Sequence, residues 1–192
     1  MGVSVLDVNW ETINGPVAHQ IELTNAANQA NVVKCLISFL LAHRGPSGAC
    51  PPPPPDEPAL LTLHHAGTLF LLAHPGAYRN HDVQVYGKPG EISLTPMSWQ
   101  FVEGAMKRFF RDLYAIWQTG DALEASAYAL WGINYIHPFR NGNGRTARAF
   151  SYACLSLRIG AELPGSITLM QMMTEQPHSS RYKSLLTEID KT

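Results

Sequence analysis

No excess of either charge marks this chain: its 14 lysines and arginines meet 15 aspartates and glutamates, for a formal net charge of -1. A balance of that kind draws a protein neither to nucleic acid nor to an anionic membrane surface. No basic stripe with interleaved aromatics appears that would track a nucleic-acid backbone. Cysteine is scarce as well. Cys35, Cys50 and Cys154 form no close pair of metal-ligand spacing, and an odd count gives no disulfide framework, which favours a reducing compartment. Neither a long apolar span nor a basic-then-hydrophobic leader is present. The expectation is therefore a cytoplasmic protein with no nucleic-acid and no membrane partner, although delivery into a host cell needs no such leader. No internal repeat is evident.

What the chain does have is enough length and apolar content for one core: 192 residues, 45% of them hydrophobic, read as a single domain over 1–192. A helical pattern runs from about Val17 to His43 on Ile21, Leu23, Val32, Cys35, Leu36, Phe39 and Leu40, and Arg44-Gly45-Pro46 ends it. Residues 45–58, with prolines from Pro51 to Pro55, read as a proline-rich surface loop of polyproline character. Cys35 and Cys154 fall on apolar helical patterns and are expected in the core, with Cys50 exposed. The neighbours His64 and His65 point in different directions on a helix, so one packs and the other faces solvent, and the two do not share a metal.

Val83 and Val85 have the period of two of an extended segment, and Gly87 with Pro89 can turn the chain back. Thr95-Pro96 reads as a helix start for a stripe of Met97, Phe101, Met106, Phe109, Leu113 and Trp117, ending at Thr119-Gly120. A further helix from Asp121 to Tyr135 is expected to bury Leu123, Ala127, Leu130, Trp131 and Tyr135. Another from Arg145 to about Leu157 should bury Phe150, Cys154 and Leu157. Beyond a connector over Ala161 to Ile167 come the apolar run Leu169-Met170-Met172-Met173 and a short helix over Ser180 to Ile189.

Between two of these helices stands the chemistry: His137-Pro138-Phe139-Arg140-Asn141-Gly142-Asn143-Gly144-Arg145-Thr146-Ala147-Arg148. Pro138 disfavours helical geometry at His137, while Gly142 and Gly144 permit positive φ or a close backbone approach. The run therefore reads as a tight loop entering a helix N-terminus, where unbonded amides and the aligned peptide dipoles favour an anion. Arg145 and Arg148, three apart, share a helix face and can hold neighbouring phosphates. Asn141 and Asn143 add neutral donors and acceptors. His137 lies one short loop away, with an ordinary pKa near neutrality. Such a set suits nucleophilic attack on a phosphoryl centre, with a base to activate a hydroxyl and cations to stabilise the transition state.

These residues closely resemble the motif of the Fic family, His-x-Phe-x-Asp/Glu-Gly-Asn-Gly-Arg-x-x-Arg, with every specified position matched except Asn141. The resemblance extends to about 60–160, since Leu60 to Lys88 look like the family's helix and β-hairpin flap, with Gly76-Ala77-Tyr78-Arg79 leading to Asp82-Val83-Gln84-Val85-Tyr86-Gly87. It implies an all-α Fic fold, a helical bundle with a small β-hairpin flap near the active site. It also implies transfer of AMP from ATP, with magnesium, to a Ser, Thr or Tyr hydroxyl of a target protein. By the same resemblance, His137 is the general base and Phe139 the buried anchor of the loop. Gly142, Asn143 and Gly144 cradle phosphates, Arg145 and Arg148 contact them, and Asp82, Val83, Gln84, Val85 and Tyr86 dock the target.

Asn141 departs from the family pattern, in which Asp or Glu helps to hold magnesium. An amide oxygen can coordinate a metal but brings no negative charge, so Asn141 is a weak metal candidate and the cation is expected to bind less tightly. The alternatives are transfer of UMP, phosphocholine or phosphate, and a nucleotide-binding interaction module with little catalysis. The family's restraining pattern, Ser/Thr-x-x-x-Glu-Gly/Asn, has its nearest fit at Ser184-Leu185-Leu186-Thr187-Glu188, but Ile189 follows. An unrestrained enzyme, or one held by a separate inhibitory protein, is the expectation.

Overall fold

A computed structural model describes residues 10–43, 52–86, 92–163 and 184. Helix α1 spans Pro16–Ala42, α2 Glu57–Thr68, α3 Val102–Thr119, α4 Ala122–Ile136 and α5 Asn143–Ile159. The strands β1, Val85–Tyr86, and β2, Ile92–Leu94, pair antiparallel between α2 and α3, with Val85 opposite Leu94 and Tyr86 opposite Ile92. The described fold is thus an all-α bundle carrying one small strand pair.

Local chemistry sets the helix ends. The Asp56 carboxylate accepts from the Ala59 amide at 3.0 Å, and Asp121 does the same for Glu124 at 2.8 Å, so α2 and α4 each begin on a carboxylate cap. Gly160, at φ 82, closes α5 in the left-handed region. A single turn of 3-10 helix, Trp99–Phe101, precedes α3, and the Trp99 amide at its start donates to Asp82 Oδ1 at 2.8 Å. Asp82, seventeen positions earlier, thus fastens the stretch before β1 to the entry of α3.

The core lies among the helices, on Ile37, Leu60, Leu63, Phe109, Leu113, Trp117, Ile133, Phe139, Phe150 and Leu157. Trp117 satisfies its indole N–H on the Pro52 carbonyl at 2.8 Å. Pro52 and Pro55 are buried while Pro53 is exposed, so the described part of the proline-rich 45–58 stretch is partly packed against α3. Pro51 and Cys50 lie outside the described residues.

Expected faces are met only in part: Ile21, Val32, Leu36 and Leu40 on α1 and Leu130 on α4 are partly buried against the core, but the fully buried stripes lie elsewhere. On α1 the buried side chains are Ala18, Asn25, Gln29, Ala30, Val33 and Ile37, whereas Leu23, Cys35 and Phe39 are exposed. Asn25 donates to the Leu69 carbonyl at 2.7 Å and Gln29 to that of Leu63 at 2.8 Å, so α1 meets α2 through amides that no apolar count would pick. On α4 the buried stripe is Ala125, Ala129, Gly132, Ile133 and Ile136, leaving Leu123 and Tyr135 exposed. A Cβ on Gly132 would stand 2.7 Å from the Phe109 ring, so this small-residue stripe is what lets α3 approach. Helix α3 starts later than Thr95-Pro96 predicts. Phe101 is exposed, while Met106, Phe109, Leu113 and Trp117 are buried as expected. Cys154 is buried, and of the histidine pair His64 is buried and His65 exposed. The Leu169–Met173 run and Glu188 lie outside the described residues.

Candidate active site

The loop from His137 to Gly142 is held from every side by hydrogen bonds to its own backbone. Its entry residue, His137, takes the left-handed conformation at φ 53 as the C-cap of α4, and its amide donates to Ile133 O at 3.0 Å. A non-glycine residue pays about 1–2 kcal/mol for that geometry, so neighbouring contacts must hold it. Arg79 supplies some of them: its Nε donates to the His137 carbonyl at 2.8 Å and its backbone N–H to that of Pro138 at 2.9 Å. The Asn143 side chain closes the loop from within, its Oδ1 accepting from the Phe139 amide and its Nδ2 donating to the Phe139 carbonyl, both at 2.8 Å.

Phe139 is fully buried, stacked on His64 with ring centroids 3.7 Å apart and tilted against Tyr78. His64 accepts from the Gly76 amide on Nδ1 at 2.9 Å and donates from Nε2 to the Asn141 carbonyl at 3.0 Å. Both bonds can form together only in the neutral Nε2–H tautomer. Burial pushes its pKa down to about 4 despite the bond to Asn141, with Arg145 and His65 adding repulsion. Gly142 follows at φ 77, where a Cβ would meet Thr68 Cγ2 at 2.7 Å.

Above the loop, one cavity of about 600 Å³ is lined by His137, Asn141, Gly142, Asn143, Gly144, Arg145 and Arg148, and by Asp82, Val83, Gln84, Val85 and Tyr86. Every residue expected to act as base, hold phosphate or metal, or dock the target thus borders one space, while the anchor Phe139 lies beneath it in the core. Glu22, His81 and Arg140 border it too, and these the sequence reading passed over. Glu22 on α1 forms an ion pair with Arg145. Arg145 also donates to the Gly67 carbonyl at 3.0 Å and lies 5.2 Å over the Trp10 ring. No local pattern marks Glu22, since Ala18 stands four residues before it and Leu23 follows. Arg140 pairs with Glu11 and reaches His81.

His137 is half-buried, and burial pushes its pKa down to about 4, opposed by a bond to the Asn134 carbonyl and reinforced by the Arg79 charge. The imidazole is therefore neutral near pH 7. With Asn134 O accepting from Nδ1 at 3.4 Å, Nε2 is the nitrogen left to take a proton. The first-turn amides of α5 have no carbonyl of their own helix to bond, and they open on the same space as both arginines. Gly144 leaves room for the Arg148 guanidinium, whose Nη1 would lie 3.3 Å from a Cβ there. The arrangement can hold an anion beside a neutral imidazole.

The fit to a metal is poorer. The Asn141 Oδ1 already accepts from the Gly142 amide at 2.6 Å, and Glu22 pairs through Oε1 with Arg145, which leaves its buried Oε2 in the cavity lining without a hydrogen-bond partner. Among the described residues no group of three His, Cys, Asp or Glu side chains is placed to hold a metal ion.

Residues 54–155 match the Fic/DOC family, more than half of the chain, and the protein belongs to that family. Its fold is similar to that of a Fic family protein from Desulfovibrio desulfuricans G20, at 19% identity and a TM-score of 0.64, over 93% of this chain and 48% of that one. It is also similar to a Fic-domain-containing signalling protein from Bacteroides thetaiotaomicron, at 16% identity and a TM-score of 0.52, over 76% of this chain and 55% of that one. The chain is thus matched to about half the length of these relatives. A comparison with curated proteins finds no match. No helix among the described residues is long and apolar enough to cross a membrane.

Proposed function

We propose that this protein transfers AMP from ATP to a Ser, Thr or Tyr hydroxyl of a target protein. The observation that carries the reading is the shared cavity of His137, Arg145, Arg148 and the α5 N-terminus, in which a neutral imidazole faces an anion-binding helix end.

In this reaction Nε2 of His137 takes the hydroxyl proton as the oxygen attacks the α-phosphorus of ATP. A bond forms from the target oxygen to phosphorus, the bond from phosphorus to the bridging oxygen of the β-phosphate breaks, and pyrophosphate leaves with the electron pair. The α5 amides, Arg145 and Arg148 stabilise the negative charge that builds on the phosphates. A pKa near 4 makes His137 a weak base in the free protein. The phosphates bring negative charge beside it and raise that value, so its basicity grows when the nucleotide is in place. A triphosphate binds magnesium through its own oxygens and water, and Asn141 adds no charge to that binding.

The target docks along Asp82 to Tyr86, where the β1–β2 pair serves as the flap and offers main-chain groups to an extended segment beside His137. The reaction takes place in the cytoplasm, of the cell that makes the protein or of a host. ATP labelled on the α-phosphate tests the donor chemistry. Label retained on protein from α-labelled but not γ-labelled ATP supports AMP transfer, and retention from the γ-label alone would make this a phosphotransferase.

A second reading is favoured by two observations, the missing charge at Asn141 and the pairing of Arg145 with Glu22. By that reading the domain binds nucleotide and turns it over slowly. Stable ATP binding with no labelled product from any donor would select it.

A further inference from the structure

We infer that Arg79 is a positioning residue that ties the His137 carbonyl and both flanks of the β1–β2 pair into one frame, so that a docked hydroxyl and the imidazole keep their register. The inference rests on the proposed role of His137 as the base.

Arg79 is 5% exposed, although it carries a charge. The carboxylate within reach, Asp82, lies 3.7 Å away and is itself largely solvated, so ion pairing does not account for the burial. The guanidinium instead donates to three backbone carbonyls from three segments: Nε to His137 at 2.8 Å, Nη1 to His81 at 3.2 Å and Nη2 to Met97. His81 precedes β1 and Met97 follows β2, so two of these bonds bracket the strand pair and the third ends on the residue that faces the cavity. The same residue's backbone N–H donates to Pro138, which fixes its own place against the loop. A planar fork with donors in fixed directions can make all three bonds at once. An ammonium on a flexible stem has the charge but not the spread.

The contact at His137 also bears on that residue's conformation. The carbonyl that Arg79 holds belongs to a non-glycine residue at φ 53. If the bond to it is lost, the loop is free to relax from that geometry and the ring moves with it. The Arg79 charge adds to the electrostatics at the imidazole, alongside Glu22, His81, Asp82, Arg140, Arg145 and Arg148, which line the same cavity.

Arg79→Lys and Arg79→Met separate the geometric part from the charge. In both variants kcat for transfer to protein should fall at least about tenfold with the KM for ATP unchanged, the signature of a misplaced base rather than a lost binding site. NMR titration of the His137 ring should give a raised midpoint in Arg79→Met and one nearer the wild type in Arg79→Lys. Amide exchange should speed up together over residues 80–86 and 134–139. An Arg79→Lys protein with wild-type kcat would overturn the inference, and so would faster exchange on one side only. If the wild type transfers nothing, the proposed role of His137 fails, while the titration and exchange measurements still decide whether Arg79 couples the two segments. Should Arg79→Met not fold, Arg79→Lys carries the exchange and kcat tests alone.

Discussion

Glu22 and Arg145, 123 positions apart, form an ion pair at the edge of the cavity that also holds His137. Arg145 is one of the two arginines expected to contact phosphate. An incoming nucleotide must therefore compete with a carboxylate for the same guanidinium, or share it.

Removing the competitor should tighten nucleotide binding. Glu22→Gln keeps the side-chain volume and removes the charge, and calorimetry should show ATP bound about tenfold more tightly, or about 1.4 kcal/mol. The variant should also lose thermal stability, because Arg145 is left largely buried without its anion. Unchanged or weaker ATP binding would show that Glu22 does not oppose the phosphates.

Gly142 carries a second, independent prediction. At φ 77, with Thr68 Cγ2 2.7 Å from a would-be Cβ, Gly142→Ala combines backbone strain with a collision inside the loop. The expected loss is about 2–4 kcal/mol of unfolding free energy by urea titration. A matched Gly104→Ala variant on α3, where nothing lies within 4 Å of the added carbon, should be neutral or stabilising. Equal losses at the two sites would contradict the packing described for the loop.

Acid should weaken the fold through His64. An imidazole in the unfolded chain takes its proton near the ordinary value of 6.5, whereas burial holds His64 neutral in the fold down to about 4. The unfolded state therefore binds more protons across that window, and stability falls as pH drops through it, by up to roughly 3 kcal/mol for a fully buried ring. Above pH 6.5 this contribution is complete, and His137 is shifted in the same direction. Urea unfolding of wild type and His64→Gln, compared from about pH 7 to about pH 4, should give a shallower pH slope for the variant. Parallel slopes would remove His64 from the account.

The chain announces its functional loop more clearly than its packing. The run from His137 to Arg148 is contiguous, so the spacing of its glycines and arginines survives folding. Its histidine, asparagines, glycines and arginines, together with Asp82 to Tyr86, do border one cavity. The faces of α1 and α4 are legible only in part: Ile21, Val32, Leu36, Leu40 and Leu130 pack against the core as expected, but the fully buried positions follow amides and small residues. Gln29 bonds a carbonyl of α2 and Asn25 that of its C-cap Leu69, and Ala129 and Gly132 admit close packing, whereas an apolar count weights Leu23, Phe39 and Leu123 by their size. Glu22 and Arg79 carry no sequence signal for the site because their partners Arg145 and His137 lie far away in sequence, and only the fold brings them together. Asp82 stands in the expected docking stretch, and its bond to the Trp99 amide is not legible in the sequence because it depends on where the chain enters α3.

Asn141 invites the reverse substitution. Asn141→Asp places an anionic oxygen where the family pattern has one and keeps an acceptor for the Gly142 amide. Magnesium titration of the transfer rate should reach half-saturation at a concentration at least about threefold lower in the variant, since a hard cation gains a charged ligand. An identical titration curve would mean that the missing charge does not limit metal use.

The most direct test of the central claim is intact-protein and peptide mass spectrometry of protein incubated with ATP, magnesium and a cell lysate, with His137→Ala run beside the wild type. The account predicts a mass gain of one AMP on a hydroxyl side chain with the wild type, and none with His137→Ala, which should still bind ATP. An AMP gain of equal size with both proteins would contradict it, because the base would then lie elsewhere than His137.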